Sequence, residues 1–169
     1  MISQGGPQRY ISGTEAYEQL PVFIDDLKVE RVLFLHGHKS LAAAKPYLPS
    51  FGDGVEVVNV LFDGECTYQE IKRIQEIAFS RKTQMVVALG GGKVLDTAKS
   101  VTTSTSMYLV LIPTLASNCA PWSALSVHYK ENGEHLDHKV YKETANLMLL
   151  NPEVIIHSPV KYFVAGIAD

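Results

Sequence analysis

Four apolar runs mark the chain: RVLFLHG at 31–37, VEVVNVLF at 55–62, QMVVALG at 84–90 and MYLVLIP at 107–113. Runs that are apolar at successive positions suit strands of a parallel sheet covered on both faces. Helical periodicity fills the gaps. Residues 14–27 set Ala16, Leu20, Phe23, Ile24 and Leu27 on one face, and Pro21 is expected to kink or restart that helix. Residues 38–48 are alanine-rich and stop near Pro46 and Pro49. In CTYQEIKRIQEIAFS, Thr67 with Glu70 three residues later is a capping-box signature, and Ile71, Ile74 and Ala78 share a face. Val94, Leu95, Ala98 and Val101 form a further helical stripe. The alternation predicts an α/β fold, a Rossmann-like doubly wound, mostly parallel sheet. Residues 122–150 break the rhythm, and ALSVHYKENGEHLDHKVY predicts an inserted β-hairpin turning at Asn132-Gly133. Ser158-Pro159 reads as an N-cap and first helical position. The helix it opens has about three turns before the sequence stops, and looks unfinished.

Composition narrows the function classes. The 169 residues allow one domain with a sizeable core. A net charge of -3 and the lack of any Lys/Arg run leave no basic footprint for nucleic acid. No apolar run approaches a membrane span. The first ten residues, MISQGGPQRY, contain no apolar core of a secretory signal. Cys66 and Cys119 are far apart and form no metal-type pair, which suits a reducing compartment. Together these features predict a cytoplasmic protein without membrane or nucleic-acid partners, and leave homo-oligomerisation open.

The candidate chemistry centres on VVALGGGKVLDTAKSV at 86–101. A strand running into glycines and then a helix is how α/β folds hold a phosphate. Glycine lets the backbone approach the ligand and turn sharply, and the helix opens with free N–H groups and a positive dipole end. The run matches neither G-x-G-x-x-G nor a Walker A loop, because Val94 follows Lys93 where a Ser or Thr would be needed. The competing reading is a tight turn with no ligand. In IPTLASNCAPWSALSVHY, Thr114, Ser117, Ser123 and Ser126 follow a strand and could reach a ligand at the same sheet edge. Ordinary Ser/Thr turn chemistry competes there.

Taken together, GGGKVLDTAK, PTLASNCAPWSALSV and NPEVIIHSPVKYFVAGIAD resemble the iron-containing (group III) alcohol dehydrogenases, in their glycerol-dehydrogenase-like and hydroxycarboxylate-dehydrogenase-like branch. Members of that family are longer, and this chain corresponds to their N-terminal half. The resemblance implies a dinucleotide-binding domain over 1–157 and the start of a helical metal-binding domain over 158–169. It implies NAD or NADP as cofactor and a divalent metal, Zn or Fe. The substrate would be a small alcohol, either a glycerol-like polyol or a 2-hydroxy acid with its 2-oxo partner. Gly90, Gly91, Gly92 and Lys93 would hold the pyrophosphate, and Asp96 would lie near the nicotinamide end. Thr114 and Ser117 would contact the cofactor from the next strand, and Ser123, Leu125 and Tyr129 would line the nicotinamide and ribose side. Asp169 matches the first metal-ligating aspartate of AGIAD.

Two departures bear on specificity. Glycerol dehydrogenases of the family carry GDK after the first glycine turn, where this chain has GHK. His38 and Lys39 would tolerate a ribose 2′-phosphate that an aspartate would repel. They also carry STDAP, whose aspartate contacts the polyol, where this chain has SNCAP. Cys119 would remove repulsion against a substrate carboxylate, unless it is simply a small buried hydrophobe. CAPW…LSV and AAAKPYLP are closer to relatives described as hydroxycarboxylate dehydrogenases, which use NADPH.

Two other function classes stay in play. One is a sugar-phosphate cyclase of the dehydroquinate-synthase type, for which 112–145 offers only Lys130, Lys139 and Lys142. The other is a non-catalytic nucleotide-binding module. His135 and His138 sit at i, i+3 after the hairpin turn with no third ligand in view, and read as solvated. His128 lies on an alternating strand and is free to face either side. Cys66 precedes a helix N-terminus but has no visible base.

Overall fold

A computed structural model of the chain describes residues 5–103, 105–116 and 119–168. Six strands form one wholly parallel sheet: β1 (Arg9–Ser12), β2 (Arg31–His36), β3 (Glu56–Leu61), β4 (Met85–Gly90), β5 (Tyr108–Pro113) and β8 (Leu147–Leu150). Their spatial order is β1-β8-β5-β4-β2-β3. A separate antiparallel pair, β6 (Leu125–Tyr129) and β7 (His135–Val140), is the expected hairpin. At its turn Gly133 has φ +82°, in the left-handed region, and Asn132 Oδ1 accepts from the Glu134 N–H.

The helices are α1 (Gln19–Asp26), α2 (His38–Ala44), α3 (Tyr68–Ser80), α4 (Gly92–Thr102), α5 (Pro152–Ile156) and α6 (Val160–Ala168). Pro21 does restart its helix. A 3-10 turn at Ala16–Glu18 ends and Pro21 falls in the first turn of α1, where its missing N–H is harmless. The helix expected from Ser158-Pro159 begins at Val160. Strands β1 and β8 were not foreseen. β1 is a short, mostly exposed edge strand, and LMLL of β8 follows a polar stretch too closely to stand out as a run.

Two apolar layers sandwich the sheet. Met85, Val87 and Leu89 of β4 pack with Leu20, Phe23 and Ile24 of α1. Val86 and Ala88 face Ile71 and Ile74 of α3 and Leu95, Ala98 and Val101 of α4. Every residue of β4 is buried, so its near-continuous apolar run is the signature of a central parallel strand. The winding reverses between β2 and β4. The chain leaves β2 through α2 to the edge strand β3, then crosses back through α3 to β4 on the other side. The carboxyl ends of β2 and β4 therefore diverge side by side, which is where open α/β sheets bind ligands. Among the described residues no helix is long and apolar enough to cross a membrane.

The capping box of α3 is only half made. Thr67 Oγ1 accepts from the Glu70 N–H, but the Glu70 carboxylate turns away from the cap. It accepts from the Asp63 N–H at 3.0 Å and from Arg73 at 2.6 and 2.7 Å, while Arg73 also donates to the Leu61 carbonyl. This cluster fixes the loop leaving β3. Burial disfavours charge on Glu70, yet Arg73 and the Asp63 N–H outweigh it and hold the carboxyl below the usual range. A carboxylate with a depressed folded-state pKa stabilises the fold above its unfolded value and loses that contribution as pH falls. Glu70→Gln is therefore expected to cost about 1–3 kcal/mol at pH 7. Its deficit against the parent should shrink as pH falls below the ordinary value of 4.5 and through the lowered folded one. Urea denaturation at pH 7 and pH 3.5 checks both halves.

Candidate functional site

The turn after β2 and the glycine run after β4 meet at the reversal point. Ser40 stitches them together. Its Oγ accepts from the Gly37 N–H at 3.0 Å and lies 3.0 Å from both the Gly37 and Leu89 carbonyls, as donor. From the next strand, the Thr114 N–H donates to the Gly90 carbonyl at 3.0 Å, and Thr114 is buried. His38 and Lys39 open α2 at this edge, and both are exposed.

Space, rather than a special backbone conformation, requires the glycines. Gly91 is extended, with φ −82° and ψ −177°, which any residue adopts. A Cβ on Gly90, however, would lie 2.7 Å from Val94 Cγ2 and 2.8 Å from Val94 Cβ. One on Gly91 would lie 2.8 Å from Leu115 Cδ1. No sharp turn is needed at these glycines; the close approach of Val94 is what demands one at 90. Gly91 is the N-cap of α4 and supplies no side-chain cap, and the first helical bond runs from the Leu95 N–H to the Gly91 carbonyl. The preceding N–H groups of Gly92, Lys93 and Val94 have no intrahelical acceptor, and the positive end of the helix points to the same edge.

Lys93 is half-exposed, paired with Glu65, and 5.3 Å from the centre of the Tyr129 ring. Tyr129 in turn donates its N–H to the Cys66 carbonyl at 2.9 Å. Glu65 was not foreseen; a lone acid in a polar loop carries no periodic signal. Its Oε2 is buried without a donor among the described residues. Asp96 lies deeper than expected of a residue facing a ligand. It is 7% exposed, and its Oδ2 accepts from the Val127 N–H at 3.1 Å. Its Oδ1 is 2.8 Å from the ammonium of Lys99. Lys99 was also missed, although its position one turn after Leu95 set a lysine on the apolar face of α4.

The loop from 119 to 125 carries three of the expected residues. Cys119 is exposed, which removes the reading of it as a buried hydrophobe. The Cys119 carbonyl accepts from both the N–H and the hydroxyl of Ser123 at 2.8 Å. Leu125 begins β6. Ser126 does not reach a ligand edge; it is fully buried and its hydroxyl donates to the Asp96 carbonyl. Ser117 and Asp169 lie outside the described residues.

The remaining candidates resolve as structural. His128 faces α4, fully buried, between Ser100 Oγ at 3.0 Å and Asp137 Oδ1 at 2.8 Å. Tyr68 donates to Asp137 and Tyr141 meets Ser100, so the hairpin is riveted to the domain by a polar chain that is buried at Ser100 and His128 and reaches the surface at Asp137 and Tyr68. The Cys66 thiol is pushed up to about 12 by burial, against a hydrogen bond from Thr97, and is no nucleophile. His135 packs edge-on against Tyr129, and no three metal-ligating side chains converge among the described residues.

The family model for iron-containing alcohol dehydrogenases matches residues 7–152. The chain belongs to the iron-containing alcohol dehydrogenase family. Hydroxycarboxylate dehydrogenase A of Escherichia coli is 30% identical over 97% of this chain and 45% of that protein. Glycerol dehydrogenase of Thermotoga maritima is 34% identical over 96% and 44%. A crystal structure of a probable glycerol dehydrogenase from Sinorhizobium meliloti superposes with a TM-score of 0.87 at 29% identity, covering this whole chain and 46% of its counterpart. The chain thus spans less than half the length of these relatives.

The two glycine contacts differ in kind, and this separates their substitutions. Val94 is β-branched, buried and unable to withdraw, whereas Leu115 is half-buried and meets Gly91 only with its tip. Gly90→Ala is expected to cost about 1–3 kcal/mol by overpacking, and Gly90→Ala/Val94→Ala should not recover it, because alanine keeps the Cβ that lies 2.8 Å away. Gly91→Ala should melt within a degree or two of the parent. Thermal denaturation of the three variants distinguishes them.

Proposed function

We propose that this chain forms the nucleotide-binding part of a metal-dependent NAD(P) oxidoreductase. The enzyme would interconvert a small alcohol, a glycerol-like polyol or a 2-hydroxy acid, and its carbonyl. The observation that carries the reading is the uncapped N-terminus of α4, set behind Gly90 and Gly91 at the reversal point of the sheet. A diphosphate would lie over Gly91 and Gly92, taking the free N–H groups of α4. Lys93 would leave Glu65 or bridge it to the phosphate. Asp96 acts by fixing α4 to β6, and so sets where Leu125 and Tyr129 flank the ribose and nicotinamide. Thr114, just past the end of β5, would contribute too, and Ser117 would join it on its match to the family motif. When bound, the dinucleotide supplies the hydride chemistry, and this domain supplies its placement.

The relatives' names include both glycerol dehydrogenase and hydroxycarboxylate dehydrogenase A. Exposed His38 and Lys39 beside the glycine run favour NADPH, and the uncharged, exposed Cys119 favours a substrate with its own carboxylate. The described residues do not make a metal site. Asp169 would serve as a metal ligand, on its match to the family motif. Cys66 and Cys119, both free thiols, suit the reducing cytoplasm.

Titration of the chain with NADH and NADPH, followed by nucleotide fluorescence, tests the reading. Gly91→Val should weaken both by more than tenfold, about 1.4 kcal/mol, while the fold survives. Parent-like affinity in that variant would reduce the glycine run to a turn. The same titration on His38→Asp is expected to shift preference from NADPH toward NADH, since a carboxylate repels a 2′-phosphate and accepts from a 2′-hydroxyl. An unchanged ratio of the two dissociation constants would remove His38 from the site.

A further inference from the structure

Lys99 is an unusual lysine. Its side chain is 1% exposed. Its ammonium sits among four oxygens: Asp96 Oδ1 at 2.8 Å, the Ala120 carbonyl at 2.8 Å, the Ser123 carbonyl at 3.1 Å and the Leu125 carbonyl. Two of these, the Ala120 and Ser123 carbonyls, belong to a loop with no helix or strand of its own, and the Leu125 carbonyl lies where that loop enters β6. The loop's other ties are few. Trp122 and Ser123 donate back to the Cys119 carbonyl, Tyr141 donates its N–H to the Ala124 carbonyl, and the Thr144 hydroxyl donates to the Ser123 carbonyl at 3.4 Å. Among the described residues no other donor reaches Asp96 Oδ1.

A buried ammonium is costly unless its charge and its protons are all matched. Here one carboxylate matches the charge, and the carbonyls take the protons. Burial pulls the Lys99 pKa down, and Asp96 pulls it back up. The arrangement is that of a small cation seat lined by carbonyls, filled by a tethered ammonium. Lys99 also lies on α4, two turns beyond the phosphate-facing end, so one rigid helix carries both features.

We infer that Lys99 is a positioning residue, whose ammonium draws the carbonyls of residues 120–125 around itself and thereby presents Cys119, Ser123 and Leu125 to the dinucleotide and substrate. The last part rests on the proposed function; the holding of the loop does not. A neutral side chain would take the ammonium from the Ala120 and Leu125 carbonyls and the Asp96 carboxylate, leave the Ser123 carbonyl only the Thr144 hydroxyl at 3.4 Å, and the loop would open to hydrate them. The seat should accept a free primary ammonium in place of the lysine's own.

The chain's one tryptophan, Trp122, lies in this loop, 44% exposed and edge-on to Tyr10. Its emission reports the loop directly, without any ligand. In Lys99→Ala the atoms removed beyond Cβ correspond to n-propylammonium. The expected result is a red-shifted Trp122 emission, acrylamide quenching at least doubled, and dinucleotide affinity reduced at least tenfold, with far-UV circular dichroism unchanged. n-Propylammonium chloride should reverse the emission shift and the quenching at constant ionic strength. Tetramethylammonium, which has no N–H to donate, should not. Lys99→Met keeps the volume without the charge; it should show the same loosened loop and no response to the amine, because its own side chain fills the channel. If Lys99→Ala folds only with the amine present, the amine-dependent refolding yield reads the same seat, and Lys99→Met supplies the loop measurement. Parent-like emission and quenching in both variants would overturn the inference, as would a loss in Lys99→Ala that tetramethylammonium relieves as well as propylammonium does. A parent chain that binds no dinucleotide would fell the proposed function instead, and leave the tryptophan measurement to decide the role of Lys99.

Discussion

The close approach of α4 to the end of β4 is the constraint on which the rest of this structure depends. At Gly90 no room is left for a side chain, because Val94, on the first turn of the helix, already occupies the space where a Cβ would go. Only a residue without one lets the helix start so near its strand. That closeness brings Leu95, Ala98 and Val101 down onto the sheet. It also directs the unsatisfied N–H groups of the helix at the edge where β2 and β4 diverge.

From that position α4 also meets α3 and the hairpin strand β6. Successive residues on its outer side reach different parts of the site. Lys93 meets Glu65 and Tyr129, Asp96 meets Val127, Lys99 gathers the loop from 120 to 125, and Ser100 meets His128. The hairpin is the only sheet-forming part of the described chain that does not join the main sheet. It pairs with itself alone, and a two-stranded ribbon is marginal without something to pack on. The polar chain from Ser100 through His128 and Asp137 to Tyr68 supplies a specific anchor, because each buried group is satisfied only in one register. Ser, His and Asp thus come together here as a fastener, with the serine hydroxyl enclosed beneath the hairpin and bonded to the Asp96 carbonyl.

At the carboxyl edge the last helix comes close in the same way. A Cβ on Gly166 of α6 would overlap the Ala116 carbonyl, so the helix and the segment after β5 touch backbone to backbone. Val160 and Val164 on that helix are left more than half exposed. The relatives matched by this chain continue for more than its own length again.

What the sequence determined by itself was whatever local pattern controls. The four central strands, the amphipathic helices, the Asn132-Gly133 hairpin and the restart at Pro21 each follow from periodicity or from the stereochemistry of one or two residues. The glycine run was legible as a strand-to-helix junction. Tertiary structure alone decided the rest. β1 and β8 exist because neighbouring strands complete their hydrogen bonding, which four residues of sequence cannot announce. The reason for glycine at 90 is steric contact with Val94, where sequence suggested approach to a ligand and a sharp turn. Ser126 and His128 turned inward and Cys119 outward because the hairpin packs on α4 with one face, a choice that alternation permits but does not make. Glu65 and Lys99 were invisible as site residues because their partners are backbone carbonyls and side chains brought near by folding, and a carbonyl is the same at every position in the chain.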